Sequence, residues 1–254
     1  IGVRGLLNIQ FAIRDQIVYV IEANPRASRT VPFVSKATGV PLAKAAARIM
    51  AGESIADLGL PPDDRELPYF ACKEAVMPFG RFPGSDVVLG PEMKSTGEVM
   101  GVARSFPAAY MKTQLAVGYP LPATGTVFIS VADRDKRSIV SIARDFERLG
   151  FSIASTAGTA KALKACDVAC DVVRKFSEEG PHIGTMIAEG KIDLMITTPF
   201  GHGSRGDGYE LRLAAVRHGL PYATTLAGAQ ALAAGIEVAR AEGLPIIALQ
   251  DLGN

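Results

Sequence analysis

Apolar runs and helical repeats alternate along the C-terminal half of the chain. Residues 126–132 are an apolar, β-branched run typical of a buried strand, and residues 136–149 repeat apolar positions with a helical period. Alternating strands and helices indicate an α/β fold with a mostly parallel sheet covered on both faces, whose ligands lie at the carboxyl ends of the strands. The same alternation predicts further strands at 151–154, 168–174, 192–197, 221–224 and 246–249. It predicts further helices at 159–165, 185–189, 209–218 and 227–241.

A period of two at residues 8–24 predicts a hairpin, which a helix follows. A three-residue turn at 15–17 pairs Gln10 with Glu22 and collects the odd-numbered apolar side chains, Tyr19 among them, on the other face. A two-residue turn instead separates Gln10 from Glu22, because a slip of one residue moves side chains to the opposite face.

Three oxygen-bearing side chains share the polar face of this hairpin. Gln10, Glu22 and Asn24 supply amide and carboxylate oxygens, which suit a Mg²⁺ ion that also binds substrate phosphates. Arg26 follows Asn24 closely and is placed to contact a phosphate oxygen. The alternative is a solvated hairpin whose Asn24 caps the following helix.

Polar residues also follow four of the predicted C-terminal strands. The start of a helix supplies backbone N–H groups that bind anions, and nearby hydroxyl and ammonium groups strengthen such a site. The sequence therefore predicts an anion-binding crevice at this edge of the sheet. For each threonine the alternative is an N-cap or loop hydroxyl. The candidate residues are Lys136, Thr156, Gly158, Thr159, Lys175, Thr197 and Thr198.

Residues 61–122 are rich in proline and glycine, and we expect short strands that close the first region. Residues 118–125 (GYPLPATG) have the composition of a linker. The predicted domains are therefore 1–123 and 124–254.

Composition and charge narrow the classes of function. The chain carries 27 basic and 26 acidic residues, so its net charge of +1 gives no broad field for nucleic acid or an anionic membrane surface. Its apolar runs are shorter than the roughly 20 residues that span a bilayer. Three cysteines form no CxxC or metal-binding spacing, which fits a reducing cytoplasm. The first residue is Ile1 rather than Met, which favours a missing N-terminal segment.

A long N-terminal run closely resembles the end of the second ATP-grasp domain of carbamoyl-phosphate synthetase large subunits: GLLNIQFAIRDQIVYVIEANPRASRTVPFVSKATGVPLAKAAARIMAG, residues 5–52. A later run, LGPEMKSTGEVMG at 89–101, fits the same family. The resemblance implies that the three hairpin oxygen ligands bind a Mg²⁺ or Mn²⁺ ion carried by ATP. It also implies that Glu22 is able to bridge two metal ions and that Arg26 contacts the transferring phosphate, so that both are catalytic residues.

The resemblance implies an activity as well. In this family the second half phosphorylates carbamate with ATP to give carbamoyl phosphate for pyrimidine and arginine biosynthesis, chiefly by neutralising charge on the phosphates. The first half makes carboxyphosphate, and a glutaminase small subunit supplies ammonia. No glycine-rich phosphate lid precedes residue 5, so we expect a C-terminal part that is inactive without the remainder of the large subunit.

Residues 124–254 resemble the regulatory domain that ends this large subunit, which has the methylglyoxal-synthase-like fold. The matching pieces are VADRDK, STAGTAKAL, VRKFSEEGPHI, IDLMITTPFG and TTLAGA. The overall expectation is an α/β protein, in which a parallel-sheet methylglyoxal-synthase-like domain follows the α+β C-terminal part of an ATP-grasp domain. Some members have Asn before two Thr where this chain has Thr197, Thr198 and Pro199, so the contacts to base and ribose stay open.

The regulatory resemblance implies a pocket for a phosphorylated nucleotide effector such as UMP or IMP. Lys136, Thr156, Thr159 and Lys175 match positions at or near its phosphate. The loop Gly201–Gly208, with Arg205 and Asp207, either closes over this pocket or forms an exposed tip.

Other functions and assembly states stay open at this point. The main alternative is a stand-alone nucleotide-sensing module without catalysis. Another ATP-grasp ligase, such as a carboxylase, is disfavoured by the appended α/β domain, and we find no match to the catalytic set of a methylglyoxal synthase. A homo-oligomer is compatible with the sequence.

Overall fold

The structure is a computed structural model that describes residues 2–61, 66–79, 93–119, 121–198 and 206–252. The chain divides into two compact units, one formed by Ile1–Ala71 with Pro245–Asn254 and the other by Cys72–Leu244. The strands are β1 (Asn8–Arg14), β2 (Ile17–Asn24), β3 (Phe70–Val76), β4 (Gly97–Ala103), β5 (Thr126–Ser130), β6 (Ser152–Ser155), β7 (Asp171–Val172), β8 (Leu194–Thr197) and β9 (Tyr222–Ala223). The helices are α1 (Thr30–Thr38), α2 (Leu42–Met50), α3 (Phe106–Val117), α4 (Ile139–Arg148), α5 (Ala157–Lys164), α6 (Ile183–Ala188), α7 (Asp207–Arg217) and α8 (Leu226–Glu242).

The first unit begins with the predicted hairpin, but its turn has two residues rather than three. Strand β1 pairs antiparallel with β2, and Arg14 lies opposite Ile17. Asp15 and Gln16 both have positive φ, 51° and 64°, as the type I′ turn of a tight hairpin requires. The expectation of a three-residue turn at 15–17 is therefore wrong.

A β-bulge nevertheless brings Gln10 opposite Glu22, as predicted. Phe11 pairs with Val20 and Gln10 pairs with Glu22, so Ile21 is the extra residue on β2. The bulge shifts the pairing by one position, and this shift cancels the change of register that the shorter turn introduces.

Between the bulge and the turn, the shorter turn changes which side chains share a face. Ile13 lies opposite Val18, and Ala12 lies opposite Tyr19. Tyr19 therefore does not join the face of Ile13, contrary to the prediction, because a slip of one residue moves it to the other side. The large apolar side chains of the hairpin are all exposed, from 37% for Ile9 to 74% for Ile13.

Two short helices follow the hairpin, where the sequence pattern predicts one. Helix α1 ends at Gly39, whose φ of 73° is the left-handed conformation that glycine adopts readily. Pro41 is the N-cap residue of α2, and the Leu42 N–H donates a hydrogen bond to Ser35 Oγ at 3.2 Å. The helical pattern is therefore broken by a turn at residues 39–41.

The second unit is built on a five-stranded parallel sheet in the order β7-β6-β5-β8-β9. Alternate residues of the central strand β5 enter two separate buried clusters. Val127 and Ile129 pack with residues of α4 and α8, whereas Phe128 packs with residues of α6 and α7. Helices thus cover both faces of the sheet, and the predicted α/β fold is confirmed.

The middle of the chain packs with the C-terminal sheet instead of closing the first unit. Strands β3 and β4 pair with each other, and α3, which the sequence pattern did not predict, packs against β4 and along α8. Burial raises the pKa of the Glu74 carboxyl on β3, which accepts a hydrogen bond from Gln114 Nε2 at 2.8 Å. The compact units divide between Ala71 and Cys72, while the domain boundary at 123–124 stays a prediction.

The prediction of a last strand at 246–249 is wrong. Residues 245–248 have no strand structure, and a 3₁₀ turn follows at Leu249–Asp251. Pro245 has no N–H to donate to a sheet, and Ile246 is 99% exposed. This segment also belongs to the other compact unit, so it does not extend the parallel sheet.

Other C-terminal elements keep their predicted type but change their bounds. Helix α4 begins at Ile139, so Lys136 lies in the turn before it. Helix α5 begins at Ala157, so Thr156 is its N-cap residue and not part of a longer loop. Strand β7 shortens to two residues, and it lies at the edge of the sheet, where it pairs on one side.

Residues 80–92 and 199–205 lie outside the described residues, and they include most of the loop predicted at 201–208. Among the helices that the structure describes, none is long and apolar enough to cross a bilayer. The three cysteines lie in described segments and are free thiols.

The packing of α3 on β4 predicts a difference between two glycines of the same strand. A Cβ at Gly101 would lie 2.0 Å from the Ala109 carbonyl oxygen, whereas a Cβ at Gly97 meets nothing within 4 Å. We expect Gly101→Ala to lower the free energy of unfolding by about 1–3 kcal/mol, since the helix backbone must move. Gly97→Ala, the matched control, changes it by less than about 0.5 kcal/mol. Urea denaturation measures both, and equal values would contradict the close packing.

Candidate functional site

The order of the parallel strands creates a crevice between β5 and β8. The chain leaves β5 toward β6 on one side, and β8 and β9 lie on the other side. Ser130 and Thr197 are register partners at the carboxyl ends of the two central strands. Such a switch point is where open α/β sheets bind ligands. A cavity of about 440 Å³ lies here.

The seven residues of the predicted anion-binding crevice all line this cavity. Their convergence agrees with the expectation that strand ends of a parallel sheet meet at one edge. These residues are Lys136, Thr156, Gly158, Thr159, Lys175, Thr197 and Thr198.

One wall of the cavity is the start of α5. Thr156 is the N-cap residue, but its side chain does not cap the helix, and its hydroxyl oxygen lies 3.1 Å from Ser130 Oγ. The first N–H groups of a helix have no acceptor within the helix, and they favour anions. Gly158 also lines this wall, and its missing side chain leaves room for the Lys136 ammonium, since a Cβ would lie 3.1 Å from Lys136 Nζ.

Two buried threonines hold the backbone beside this wall. Thr159 Oγ1 accepts the Val131 N–H at 3.2 Å, and Thr198 Oγ1 accepts the Ala132 N–H at 2.9 Å. Both side chains therefore have a structural role in the loop that leads to Lys136. Each hydroxyl still carries a proton that it can donate to a ligand.

Two carboxylates lie beside the lysines at this end of the cavity, one against the Lys136 ammonium and one against the Lys175 backbone. Lys136 Nζ lies 2.6 Å from Asp133 Oδ1, and the Asp133 side chain is 79% exposed. Lys175 follows β7, and its backbone N–H donates to Glu178 Oε2 at 2.8 Å. An exposed ion pair contributes little stability, so a bound anion can compete for Lys136.

The cavity also has lining residues that the sequence analysis did not predict, several of them apolar. Phe176 stacks on His182 at a ring distance of 5.1 Å, and a Cβ at Gly184 would lie 2.3 Å from the same ring. This packing fixes the position of the Phe176 ring in the cavity wall. Other unpredicted lining residues are Ile183, Tyr209, Leu211 and Arg212.

The loop predicted at 201–208 is described only at its end. Asp207 lines the cavity and begins α7, and its carboxylate accepts hydrogen bonds from the Ser177 N–H and Oγ, both at 3.2 Å. Arg205 lies outside the described residues. The hydrogen bonds of Asp207 thus connect the start of α7 to the segment that contains Lys175 and Ser177.

The hairpin brings together the three residues predicted as metal ligands. Gln10 lies opposite Glu22, and Asn24 Nδ2 donates to Glu22 Oε1 at 2.8 Å. Arg26 Nη1 donates to the Ala27 carbonyl at 3.1 Å. One carboxylate and two amides suit a Mg²⁺ ion that takes its other ligands from phosphates and water. In the described ranges, no three His, Cys, Asp or Glu side chains cluster as a metal site.

Two family profiles match the chain. The ATP binding domain of the carbamoyl-phosphate synthase L chain matches residues 1–58, and the MGS-like domain matches residues 138–224.

Curated relatives match nearly the whole chain. It is 52% identical to the carbamoyl phosphate synthase large chain, C-terminal section, of Methanopyrus kandleri, over 99% of this chain and 48% of that protein. The corresponding section from Methanocaldococcus jannaschii is 45% identical over 99% of this chain and 42% of its own length. The large chain of Clavibacter sepedonicus is 52% identical over 99% of this chain and 24% of its own length. The chain therefore spans less than half of these relatives.

The ion pair at Lys136 predicts a gain of anion affinity when its carboxylate is removed. Asp133→Asn frees the Lys136 ammonium, and we expect inorganic phosphate to bind roughly two- to fivefold more tightly, as an exposed ion pair allows. Asp135→Asn is the matched control, because Asp135 carries the same charge but does not line the cavity. Isothermal calorimetry measures both affinities. An equal gain in the two variants would show an effect of overall charge and contradict the pairing.

Proposed function

Because the chain belongs to the family of carbamoyl phosphate synthase large chains, we propose that it is the C-terminal part of the ATP-dependent subunit that phosphorylates carbamate to carbamoyl phosphate. Its C-terminal domain would bind a nucleotide that regulates this reaction. One observation carries the proposal: a single chain holds both a hairpin with candidate oxygen ligands and a cavity lined by all residues of the predicted anion-binding crevice.

The cavity suits a nucleoside monophosphate in size and in the chemistry of its walls. Its volume of about 440 Å³ lies in the usual range for small-ligand sites. The start of α5, together with Lys136 and Lys175, would bind the phosphate. Phe176 and the apolar side chains near it would contact the base. UMP and IMP are the effectors we propose.

The hairpin fits a metal ion that carries ATP phosphates. Gln10, Glu22 and Asn24 would hold Mg²⁺ or Mn²⁺, and the ion would neutralise charge on the transferring phosphoryl group. The Asn24 amide orients the Glu22 carboxylate by its hydrogen bond, so the second carboxylate oxygen is left for the ion. Arg26 would exchange its bond to Ala27 for a phosphate oxygen, which is a charge-assisted contact and the stronger of the two.

The surface of the hairpin supports a larger assembly. Its apolar side chains are exposed on both faces, and such a surface is typical of a segment that another part of a protein covers. We propose that the remainder of the large subunit covers it and that a glutaminase small subunit supplies ammonia, in the cytoplasm, for pyrimidine and arginine biosynthesis. The isolated chain would then be inactive, and a homo-oligomer would be compatible with this assembly.

The catalytic part of the proposal depends on Glu22. In the full-length large subunit, we expect Glu22→Gln to lower ATP-dependent carbamate phosphorylation by at least about 100-fold, the upper end for residues that merely support a metal ligand. Glu53→Gln is the matched control, since Glu53 forms an exposed ion pair with Arg48 in the same unit. Carbamoyl phosphate formation is the measurement. Normal turnover in Glu22→Gln would remove Glu22 from the mechanism.

The regulatory part is tested by nucleotide binding to this chain. We expect calorimetry to detect UMP or IMP, with an affinity that falls at least about tenfold in Lys136→Met, because a charge-assisted hydrogen bond is lost. Lys164→Met removes the same charge from the last turn of α5, away from the cavity, and leaves the affinity unchanged. Absence of binding by both nucleotides, or an equal loss in the two variants, would reject the effector site.

A further inference from the structure

Arg212 brings a third cation to the cavity. Its side chain is half-buried on α7 and lines the cavity wall. A Cβ at Gly208 would lie 3.4 Å from Arg212 Nη1, so the guanidinium lies over the first turn of α7. The cation thus points back toward the crevice and not along the helix to solvent.

Arg212 has no hydrogen-bond or ion-pair partner among the residues that the structure describes. The nearby Asp207 carboxylate is already bonded to Ser177. Residues 199–205, which precede α7 and lie outside the described ranges, contain no Asp or Glu. A half-buried guanidinium without an acceptor loses hydration, and a ligand acceptor would restore hydrogen bonds at this position.

The strand order puts Arg212 across the crevice from the phosphate wall. Helix α5 follows β6 and α7 precedes β9, and these strands lie on opposite sides of the central pair β5 and β8. The surroundings of Arg212 are partly apolar, with Leu211 as its neighbour in the wall. Burial raises the pKa of Tyr222 on β9, and the nearby charge of Arg212 opposes that rise.

We propose that Arg212 selects the base of the bound nucleotide by donating hydrogen bonds to its ring carbonyl oxygens. This inference rests on the proposed effector site. Arginine has five N–H donors and no acceptor. It therefore pairs with the O4 carbonyl of uracil or the O6 carbonyl of hypoxanthine, whereas cytosine or adenine has an amino group at the same ring position and would place a donor against a donor. The site selects oxo-bases over amino-bases that carry the same ribose phosphate.

The test compares two pairs of nucleotides that differ chiefly in this group. We expect the wild-type chain to bind UMP at least roughly tenfold more tightly than CMP, and IMP more tightly than AMP by a similar factor, the range for arginine contacts to bases. In Arg212→Met, which keeps the length and apolar contacts of the side chain, both ratios fall to within about threefold, since the donors are lost. Calorimetry gives the affinities, and thermal unfolding verifies that the variant is folded.

The control distinguishes base selection from phosphate binding. Lys136→Met weakens all four nucleotides alike and keeps both ratios, because each carries the same phosphate. Ratios that survive in Arg212→Met, or a wild-type chain that binds without discrimination, would overturn the role of Arg212 and leave the effector site standing. A wild-type chain that binds none of the four nucleotides would overturn the effector site and this inference together.

Discussion

The C-terminal pocket depends on the register in which β5 and β8 pair. At the amino end of β5, Asp193 Oδ2 accepts the Thr126 N–H at 2.7 Å. A Cβ at Gly125 would lie 2.1 Å from the same oxygen, and Gly125 has a φ of 128°, so both the space and the backbone require glycine. This contact fixes the strands at one end. The parallel register then brings Ser130 beside Thr197 at the other end, where the crevice opens.

Buried threonine hydroxyl groups hold the backbone that follows β5 in the cavity wall. Thr159 and Thr198 come from different elements, α5 and the end of β8, yet they accept the consecutive N–H groups of Val131 and Ala132. The loop toward Lys136 is therefore held from both sides. A threonine here is a loop hydroxyl and a candidate ligand contact at once, because its oxygen accepts from the backbone while its proton is free to bond elsewhere. The two interpretations of these threonines from the sequence, a ligand contact and a loop hydroxyl, therefore do not exclude each other.

The sequence predicted those parts of the site that depend on strand order, and it missed those that depend on side-chain packing. Lys175 was found because every residue that follows a parallel strand lies at the same edge, whatever the exact bounds of the strand. Arg212 lies within a helix, and no local pattern marks the face that meets the cavity. The pairing of Gln10 with Glu22 was correct although the predicted turn was wrong, because the bulge at Ile21 compensates for the shorter turn. Helix α3 was missed because buried residues surround it and weaken its helical period, although Ser105 signals its start by accepting the Ala108 N–H.

In the proposed nucleotide site, the cations at the two ends of the cavity differ in their partners, and this difference would separate affinity from selectivity. Lys136 is paired with an exposed carboxylate, and a phosphate can replace that partner at a cost of about 1 kcal/mol or less. Every nucleotide supplies such a phosphate, so this end cannot distinguish one from another. Arg212 is half-buried and has no acceptor among the described residues. A mismatched group opposite it leaves buried donors unsatisfied, and that penalty exceeds the modest gain from a typical hydrogen bond. In the proposed site, selectivity would therefore come from the end of the cavity where the cation has no acceptor among the described residues.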